Sequence, residues 1–178
     1  DPSNIAALID KSKEDFGETN KKINKITQSQ DPSMNLSKLK KDLNLSIILV
    51  THDISVIAYT CQKVAVMYAG EIIEMGSVKS VLEKPLHPYT MGLNNAFPDL
   101  LSKKSDFLVP IEGSPPNLLN PPSGCRFKMR CPFSQDQCSN APEKFEISDK
   151  NQASCWRENE SEQIRIKASQ ASTWIDNE

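Results

Sequence analysis

The chain has 178 residues, of which 38% are hydrophobic, and a formal net charge of −2 at pH 7. This length suits one ordinary domain with a modest core, and the near-neutral charge provides no basic surface for a nucleic-acid partner. No apolar run approaches the ~20 residues that a membrane-spanning helix requires. The polar first ten residues predict no signal peptide, and the start at Asp1 rather than Met leads us to expect a fragment or a processed piece.

Residues 1–32 are rich in Lys, Asn, Ser, Gln and acidic side chains. Ile9, Phe16 and Ile23 recur every seven residues, which favours an amphipathic helix, but Gly17 and the polar residues between them weaken the pattern. We therefore expect a mobile or weakly helical segment, inserted before the first packed element.

A helix and a strand are predicted next. Leu36, Leu39 and Leu43 recur at the spacing of a single helix face, which predicts a helix over 34–42. The apolar run over 45–50 then predicts a strand. Because parallel strands in α/β proteins are apolar on both faces, we expect this strand to be buried in a parallel sheet.

Thr51, His52 and Asp53 follow this apolar run directly. Ligands of open α/β sheets bind at the carboxyl ends of the strands, so His52 is predicted to lie where a nucleotide phosphate would bind. The alternative is an ordinary polar strand end, which a histidine next to an aspartate would favour if the pair stood alone.

A second helix is predicted over 54–61, with Asp53 as its N-cap and Cys61 as a small buried residue on its apolar face. Two strands over 64–68 and 71–75 then flank Ala69-Gly70. A tight hairpin needs positive φ at its turn, which Gly70 can supply.

Two further helices are predicted after the hairpin. Ser77 can cap a helix that ends before Pro85. The segment around His87-Pro88 opens another helix, which runs to about Phe97, because proline suits the first helical position. His87 could instead be a catalytic or metal-binding histidine, but the helix-start interpretation is the stronger one.

From Pro98 to Trp156 the chain is irregular and poor in apolar residues. We therefore expect it to need a cross-link, such as a disulfide or a bound metal, to become ordered. Four of the five cysteines fall in this part, namely Cys125, Cys131, Cys138 and Cys155. Without a secretory signal, a metal or cluster site is favoured over disulfides.

The spacing of the four cysteines leaves their state open. Zinc knuckles use pairs two to four residues apart, and no such pair is present. Zinc, an iron–sulfur cluster and unliganded thiols therefore remain as alternatives on spacing alone. Arg126, Lys128 and Arg130 make the first cysteine loop basic, which we expect to favour thiolates and to offset the charge of a cluster.

The order of elements from residue 33 resembles the end of the ATP-binding subunit of ABC transporters. That order is helix, strand, Thr-His-Asp, helix, strand, Ala-Gly turn, strand and glycine. In this family a histidine after the last central strand hydrogen-bonds the γ-phosphate and the attacking water, and the resemblance implies that role for His52. Asp53 keeps the role of a helix cap.

Two motifs narrow the resemblance to the oligopeptide/dipeptide branch. Residues 85–90, Pro-Leu-His-Pro-Tyr-Thr, are similar to the Pro-x-His-Pro-Tyr-Thr motif that begins the C-terminal extension of these ATPases. The stretches 113–116, 121–127 and 130–132 also look like that extension, with Met129 where the family often has proline. Some family members bind a 4Fe-4S cluster through the four cysteines, which implies the same ligands here.

The resemblance implies an α/β fold, the C-terminal part of an ABC-type nucleotide-binding domain over 33–97, followed by a small irregular cysteine-containing extension over 98–158. Residues 1–32 then form a polar or inserted segment, and residues 159–178 form a polar tail without strong periodicity. The implied protein binds ATP with Mg²⁺ and works at the cytoplasmic face of the cell membrane. Its partners are transmembrane permease subunits, a second ATP-binding subunit and, indirectly, a peptide-binding protein, and it has no nucleic-acid partner.

The motifs that hydrolysis needs are missing from this sequence. It contains no Gly-x4-Gly-Lys-Ser/Thr phosphate loop, no Leu-Ser-Gly-Gly signature, and no apolar strand ending in Asp-Glu before His52. We therefore expect the chain alone to be inactive as an ATPase. Two rival hypotheses are a non-enzymatic zinc or iron–sulfur module that docks on a partner, and an unrelated α/β phosphate-binding protein with a zinc site.

Overall fold

A computed structural model describes residues 42–95, 109–145, 148 and 150–175. The chain divides into two compact units, 1–60 and 61–178, and each is described by itself. The predicted segment over 1–32 and all but the last residue of the predicted helix over 34–42 lie outside the described residues. Within the described part, no helix combines the length and the apolar character needed to cross a membrane.

The predicted buried strand over 45–50 is wrong for this structure. These residues form no strand, and the side chains of Ile48 and Val50 are 95% and 92% exposed. A parallel strand is held by hydrogen bonds to neighbouring strands, and no described residue pairs with this segment. Without such partners, the apolar run has nothing on which to pack.

The helix that follows was predicted correctly. Helix α1 spans Ile54–Thr60, and Asp53 Oδ1 accepts hydrogen bonds from the backbone N–H groups of Ser55 and Val56 at 2.8 and 3.3 Å. These are the contacts of an N-cap. Cys61 lies just beyond the helix and is half-buried rather than buried.

The second unit begins with the predicted hairpin. Strands β1 (Lys63–Tyr68) and β2 (Glu71–Ser77) pair in antiparallel register, with Tyr68 opposite Glu71. Ala69 and Gly70 connect them with φ values of 48° and 83°. Positive φ at both turn residues is typical of the type I′ turn, whose twist matches that of the strands.

A third strand and two helices complete the part near the hairpin. Strand β3 (Gln152–Ala153) pairs antiparallel with β2, giving the order β1-β2-β3. Helix α2 (Val78–Glu83) is capped by Ser77, whose Oγ accepts the Ser80 N–H at 3.0 Å. Helix α3 (Pro88–Asn95) has proline at its first position, as predicted.

The C-terminal residues differ from the expected polar tail. A 3-10 turn at Glu158–Glu160 leads into helix α4 (Ser161–Ala168), and a second turn follows at Ala171–Thr173. Ile164, Ala168 and Trp174 are all buried. The apolar stripe on α4 is too short to show as periodicity, so only its packing reveals it.

The core of the second unit joins residues that are far apart in the chain. Its buried members are Tyr68, Ile73, Met91, Val109, Phe127, Phe133, Ile164, Ala168 and Trp174. Phe127 contacts the rings of Tyr68 and Tyr89 edge-on, with centroids 5.2 and 5.3 Å apart. The irregular cysteine-containing segment therefore shares one core with the hairpin and with α3 and α4.

Candidate functional site

The first candidate site is the corner before α1. The Thr51 hydroxyl accepts the Asp53 N–H at 3.0 Å, and the Asp53 carboxylate caps the helix. His52 between them is exposed to solvent. Two of the three side chains are therefore occupied in holding the turn, while the imidazole is free to meet a ligand. Its predicted contact with a γ-phosphate stays a prediction.

The second candidate site lies in the other unit and brings together all four predicted cysteines. One cavity is lined by Cys125, Cys131, Cys138 and Cys155, and none of these thiols is in a disulfide. We call it the cysteine cavity. Phe127 and Phe133 of the core also line it, so it lies against apolar side chains on one side.

Two of the four sulfur atoms receive a hydrogen bond from a backbone N–H group. Arg157 N–H donates to Cys155 at 3.4 Å and Gln135 N–H donates to Cys138 at 3.5 Å. The backbone amides of Phe127 and Phe133 act to lower the pKa of Cys125 and Cys131, against the larger effect of burial. Amide donors stabilise the negative charge of a thiolate, the form in which sulfur binds a metal.

Gly124 allows the loop to close around the cavity. The Cys125 N–H donates to the Cys138 carbonyl at 3.0 Å. A Cβ atom at residue 124 would lie 2.5 Å from main-chain atoms of Cys138 and Ser139. Because these are backbone atoms, only glycine permits the approach that joins the first and third cysteines.

Burial opposes ionisation of the thiols in this structure. Desolvation is the main cause that raises the pKa of Cys131 from 9.0 to about 12 and that of Cys155 to about 11. The neighbouring thiols raise these pKa values further. A cluster of buried, mutually repelling thiolates is stable only with a positive group among them.

Two of the three basic residues of the first loop make their bonds elsewhere, whereas the third, Lys128, lines the cysteine cavity. Arg126 pairs with Glu71 at 3.2 Å and donates to the Ala69 carbonyl. Arg130 donates to the carbonyls of Ile111 and Glu112, both at 2.7 Å. These arginines use their donors to fix the loop on the hairpin and on the segment that begins at Val109.

Sequence reasoning missed a second cation at the cavity. Arg157 lines the cysteine cavity, and Cys131 and Cys155 contribute to raising its pKa. Its guanidinium also pairs with Glu160 and donates to the Phe133 carbonyl at 3.1 Å. The only signal in the sequence is its position two residues after Cys155.

His87 also lines the cysteine cavity, although sequence reasoning gave it a local role only. That local role is confirmed, because Nδ1 accepts the Tyr89 N–H at 3.0 Å in the first turn of α3. The side chain is 1% exposed, and burial lowers its pKa to about 3. His87 is therefore a neutral imidazole at ordinary pH.

The cysteines do not converge on a single point. Among the described residues, no three His, Cys, Asp or Glu side chains are arranged to hold one metal ion. A tetrahedral zinc requires four sulfurs at ~2.3 Å from one centre, whereas a 4Fe-4S cluster takes each thiolate on a separate iron. The four thiols that line the cysteine cavity are a donor set that either group could use, so the predicted 4Fe-4S cluster, with zinc as its alternative, stays a prediction.

Comparison with known proteins identifies the region that contains most of this site. Residues 73–138 match the family model of the oligopeptide/dipeptide transporter, C-terminal region. This stretch includes most of β2, all of α2 and α3, and the first three cysteines of the cavity. This part of the chain is similar to the C-terminal region of oligopeptide/dipeptide transporters. The resemblance drawn from the sequence motifs is confirmed.

Curated relatives agree with this match. The chain is 49% identical over 107 residues to the oligopeptide transport ATP-binding protein OppD of Salmonella typhimurium, covering 60% of this chain and 32% of that protein. It is 43% identical over 122 residues to OppD of Escherichia coli, covering 68% and 36%. It is 46% identical over 110 residues to the dipeptide transport ATP-binding protein DppD of Caldanaerobacter subterraneus, covering 62% and 33%.

The matched part spans about a third of the length of these curated relatives. Their names describe ATP-binding proteins of peptide transport, and nothing in them supports the rival hypothesis of an independent metal module. The chain is thus similar to a part of each of these longer ATP-binding proteins.

Proposed function

We propose that this chain is the C-terminal part of the ATP-binding subunit of an ABC importer for oligopeptides or dipeptides. The match of residues 73–138 to the transporter C-terminal region carries this proposal. Residues 33–97 would be the end of the ATPase domain and residues 98–158 its cysteine-containing extension. The complete subunit would bind ATP with Mg²⁺ and couple its hydrolysis to peptide uptake.

The partners follow from this assignment. The subunit would pair with a second ATP-binding subunit and act on two transmembrane permease subunits at the cytoplasmic face of the membrane. A peptide-binding protein would supply the substrate to the permeases. The names of the relatives, which combine ATP binding with peptide transport, support this arrangement.

In the complete subunit, His52 would contact the γ-phosphate. The support is its exposed position between two residues that hold the turn. An imidazole N–H at this place would stabilise negative charge on the transferred phosphoryl group and orient the attacking water. The phosphate loop, the Mg²⁺ ligand and the water-positioning acid would come from outside this chain.

The test is His52→Ala in the complete subunit, with ATP hydrolysis and nucleotide binding measured separately. We expect turnover to fall by at least ~100-fold while the affinity for ATP changes little, because a transition-state contact is lost. Ser55→Ala, which alters the same turn of α1 without touching the corner, is the control and should hydrolyse ATP normally. Wild-type turnover in His52→Ala would remove His52 from the site.

The four cysteines would hold a 4Fe-4S cluster in the cysteine cavity. The observation that supports this is the shared cavity, which brings the four thiols together without a disulfide among them. The cluster would supply iron charge to the buried thiolates and would fix the irregular loops around it. We assign it a structural role, since the ATP site belongs to another part of the subunit.

Anaerobic reconstitution of the chain tests this assignment by iron and acid-labile sulfide content and by visible absorption. Cys125, Cys131, Cys138 and Cys155 should each be required, and Cys61→Ser is the matched control that should load fully. One zinc per chain without sulfide would replace the cluster with a zinc site. Two disulfides and no metal would exclude both.

A further inference from the structure

One buried donor at the cysteine cavity has no acceptor. His87 is 1% exposed, lines the cavity, and its Nε2 atom makes no hydrogen bond in the described structure. A buried polar group without a partner destabilises the fold, because it has lost its hydrogen bonds to water and gained none in return. Such a group is therefore worth explaining rather than treating as packing.

The backbone of α3 fixes the tautomer of this imidazole. Nδ1 accepts the Tyr89 N–H at 3.0 Å, so Nδ1 carries no proton. Burial keeps the ring neutral, which leaves the single proton on Nε2. His87 therefore presents an N–H donor and cannot be a metal ligand through Nε2 without losing its bond to Tyr89.

The lining of the cavity restricts what that donor can meet. Apart from the four cysteine sulfurs, the side chains that line it are apolar or are themselves donors, such as Lys128, Trp156 and Arg157. The Trp156 N–H already donates to the Asn140 carbonyl at 3.0 Å. A sulfur-rich, negatively charged occupant matches this environment.

We propose that the Nε2–H group of His87 donates a hydrogen bond to a sulfur atom of the cluster in the cysteine cavity. This inference rests on the proposed cluster. A cluster brings inorganic sulfides as additional acceptors, whereas a zinc ion brings none. The bond would place His87 as a positioning residue that adjusts the reduction potential, since hydrogen bonds to sulfur are among the groups that set it.

The experiment compares two variants of His87. Each keeps one of the two hydrogen-bonding functions of the imidazole, either the Nδ1 acceptor or the Nε2–H donor. His87→Asn retains an acceptor near the Nδ1 position but removes the Nε2–H donor. His87→Gln retains a donor near Nε2 but loses the short acceptor. Each full chain is reconstituted anaerobically, checked for iron and sulfide, and titrated for the midpoint potential of its cluster.

The N–H donor stabilises the more negative, reduced cluster. We therefore expect a lower midpoint potential in His87→Asn than in the wild type, with His87→Gln restoring most of the difference. If His87 had only a structural role, both variants would contain less cluster. The midpoint potential of His87→Asn would then not lie below that of His87→Gln. Equal potentials in the three loaded proteins would overturn the inference while leaving the cluster assignment intact.

A second measurement does not depend on the variants loading equally. The chain has only two histidines, so ¹⁵N-histidine labelling marks His52 and His87 alone. Pulsed electron paramagnetic resonance of the reduced wild type should show a weak ¹⁵N coupling, which persists in His52→Ala. No ¹⁵N coupling in a loaded protein would contradict the bond, and a wild type without acid-labile sulfide would overturn both the cluster and this inference.

Discussion

The Glu74 carboxylate accepts the backbone N–H of His87 at 2.9 Å, and it also accepts that of Leu86 at 2.8 Å. Glu74 lies in the middle of β2 and is fully buried. One acidic side chain of the hairpin thus holds the residues that lead into α3. Since His87 lines the cysteine cavity, this bond also links the sheet to the candidate metal site.

Replacing Glu74 by alanine should therefore destabilise the second unit. The change leaves one buried and one part-buried N–H group without acceptors, at about 1–3 kcal/mol each at most, so we expect a loss of about 2–5 kcal/mol. The measurement is the free energy of unfolding in urea. Glu83→Ala, at an exposed glutamate that ends α2, is the control and should change it by less than about 0.5 kcal/mol. Equal stabilities of the two variants would contradict this role.

Because His87 is buried, we expect the metal-free chain to become less stable as the pH falls. Its pKa in the folded state is about 3, against 6.5 for an ordinary histidine. A base with a lowered folded pKa stabilises the fold fully above pH 6.5, and this contribution is lost as the pH falls toward 3, by at most ~1.4 kcal/mol per pH unit. Between these pH values the unfolded chain binds a proton at His87 and the folded chain does not, so acid favours unfolding.

Chemical denaturation at several pH values checks this. The difference in unfolding free energy between wild type and His87→Asn should decrease between pH 6.5 and 4, because the variant does not titrate at this position. Glu74, whose pKa burial raises, acts in the opposite sense but is present in both proteins. A difference that stays constant over this range would show that His87 is not kept neutral by the fold.

Local signals in the sequence predicted the elements that local interactions hold. Asp53 and Ser77 cap the helices that follow them, and the Ala69-Gly70 turn has the positive φ values that a hairpin needs. The apolar run over 45–50 failed as a strand because a strand depends on partners elsewhere in a sheet. The prediction of a polar tail missed α4 for a related reason. The short apolar stripe of this helix packs on residues that are distant in sequence, and a local pattern does not show them.

The sequence predicted which cysteines would line the candidate site, but it did not predict the other side chains that line the cavity. Clustering of cysteines indicated that their thiols would meet, and they line one cavity. The basic residues of the first loop predicted that positive charge would stabilise the thiolates. Arg126 and Arg130 instead donate hydrogen bonds to backbone carbonyls. Which donors face a cavity depends on side-chain direction, and so His87 and Arg157 became visible only in three dimensions.

Trp174 tests whether the C-terminal residues contribute to the fold. It is 5% exposed, its indole N–H donates to the Ala168 carbonyl at 2.7 Å, and its ring meets that of Phe133 edge-on with centroids 6.2 Å apart. Trp174→Ala should cost about 3–5 kcal/mol. The neighbouring Ile175 is 45% exposed, so Ile175→Ala should cost far less in the same thermal or urea unfolding measurement. A tail that only covers the surface would give two similar, small effects.

Gly124→Ala should damage the cysteine cavity more than any change in exposed loop residues. The added Cβ would lie 2.5 Å from main-chain atoms of Cys138 and Ser139, so the loops must separate and the Cys125 N–H bond to the Cys138 carbonyl must lengthen. Forcing extra volume into a packed site typically costs about 1–3 kcal/mol.

The first and third thiols would move apart in the Gly124→Ala protein, and we expect lower iron and sulfide content after reconstitution together with reduced stability of the metal-free chain. Ser123→Ala changes the exposed residue next to it and should load and unfold like the wild type. If Gly124→Ala incorporates a full complement of iron with unchanged stability, the close approach of the two loops is not what holds the cysteines together.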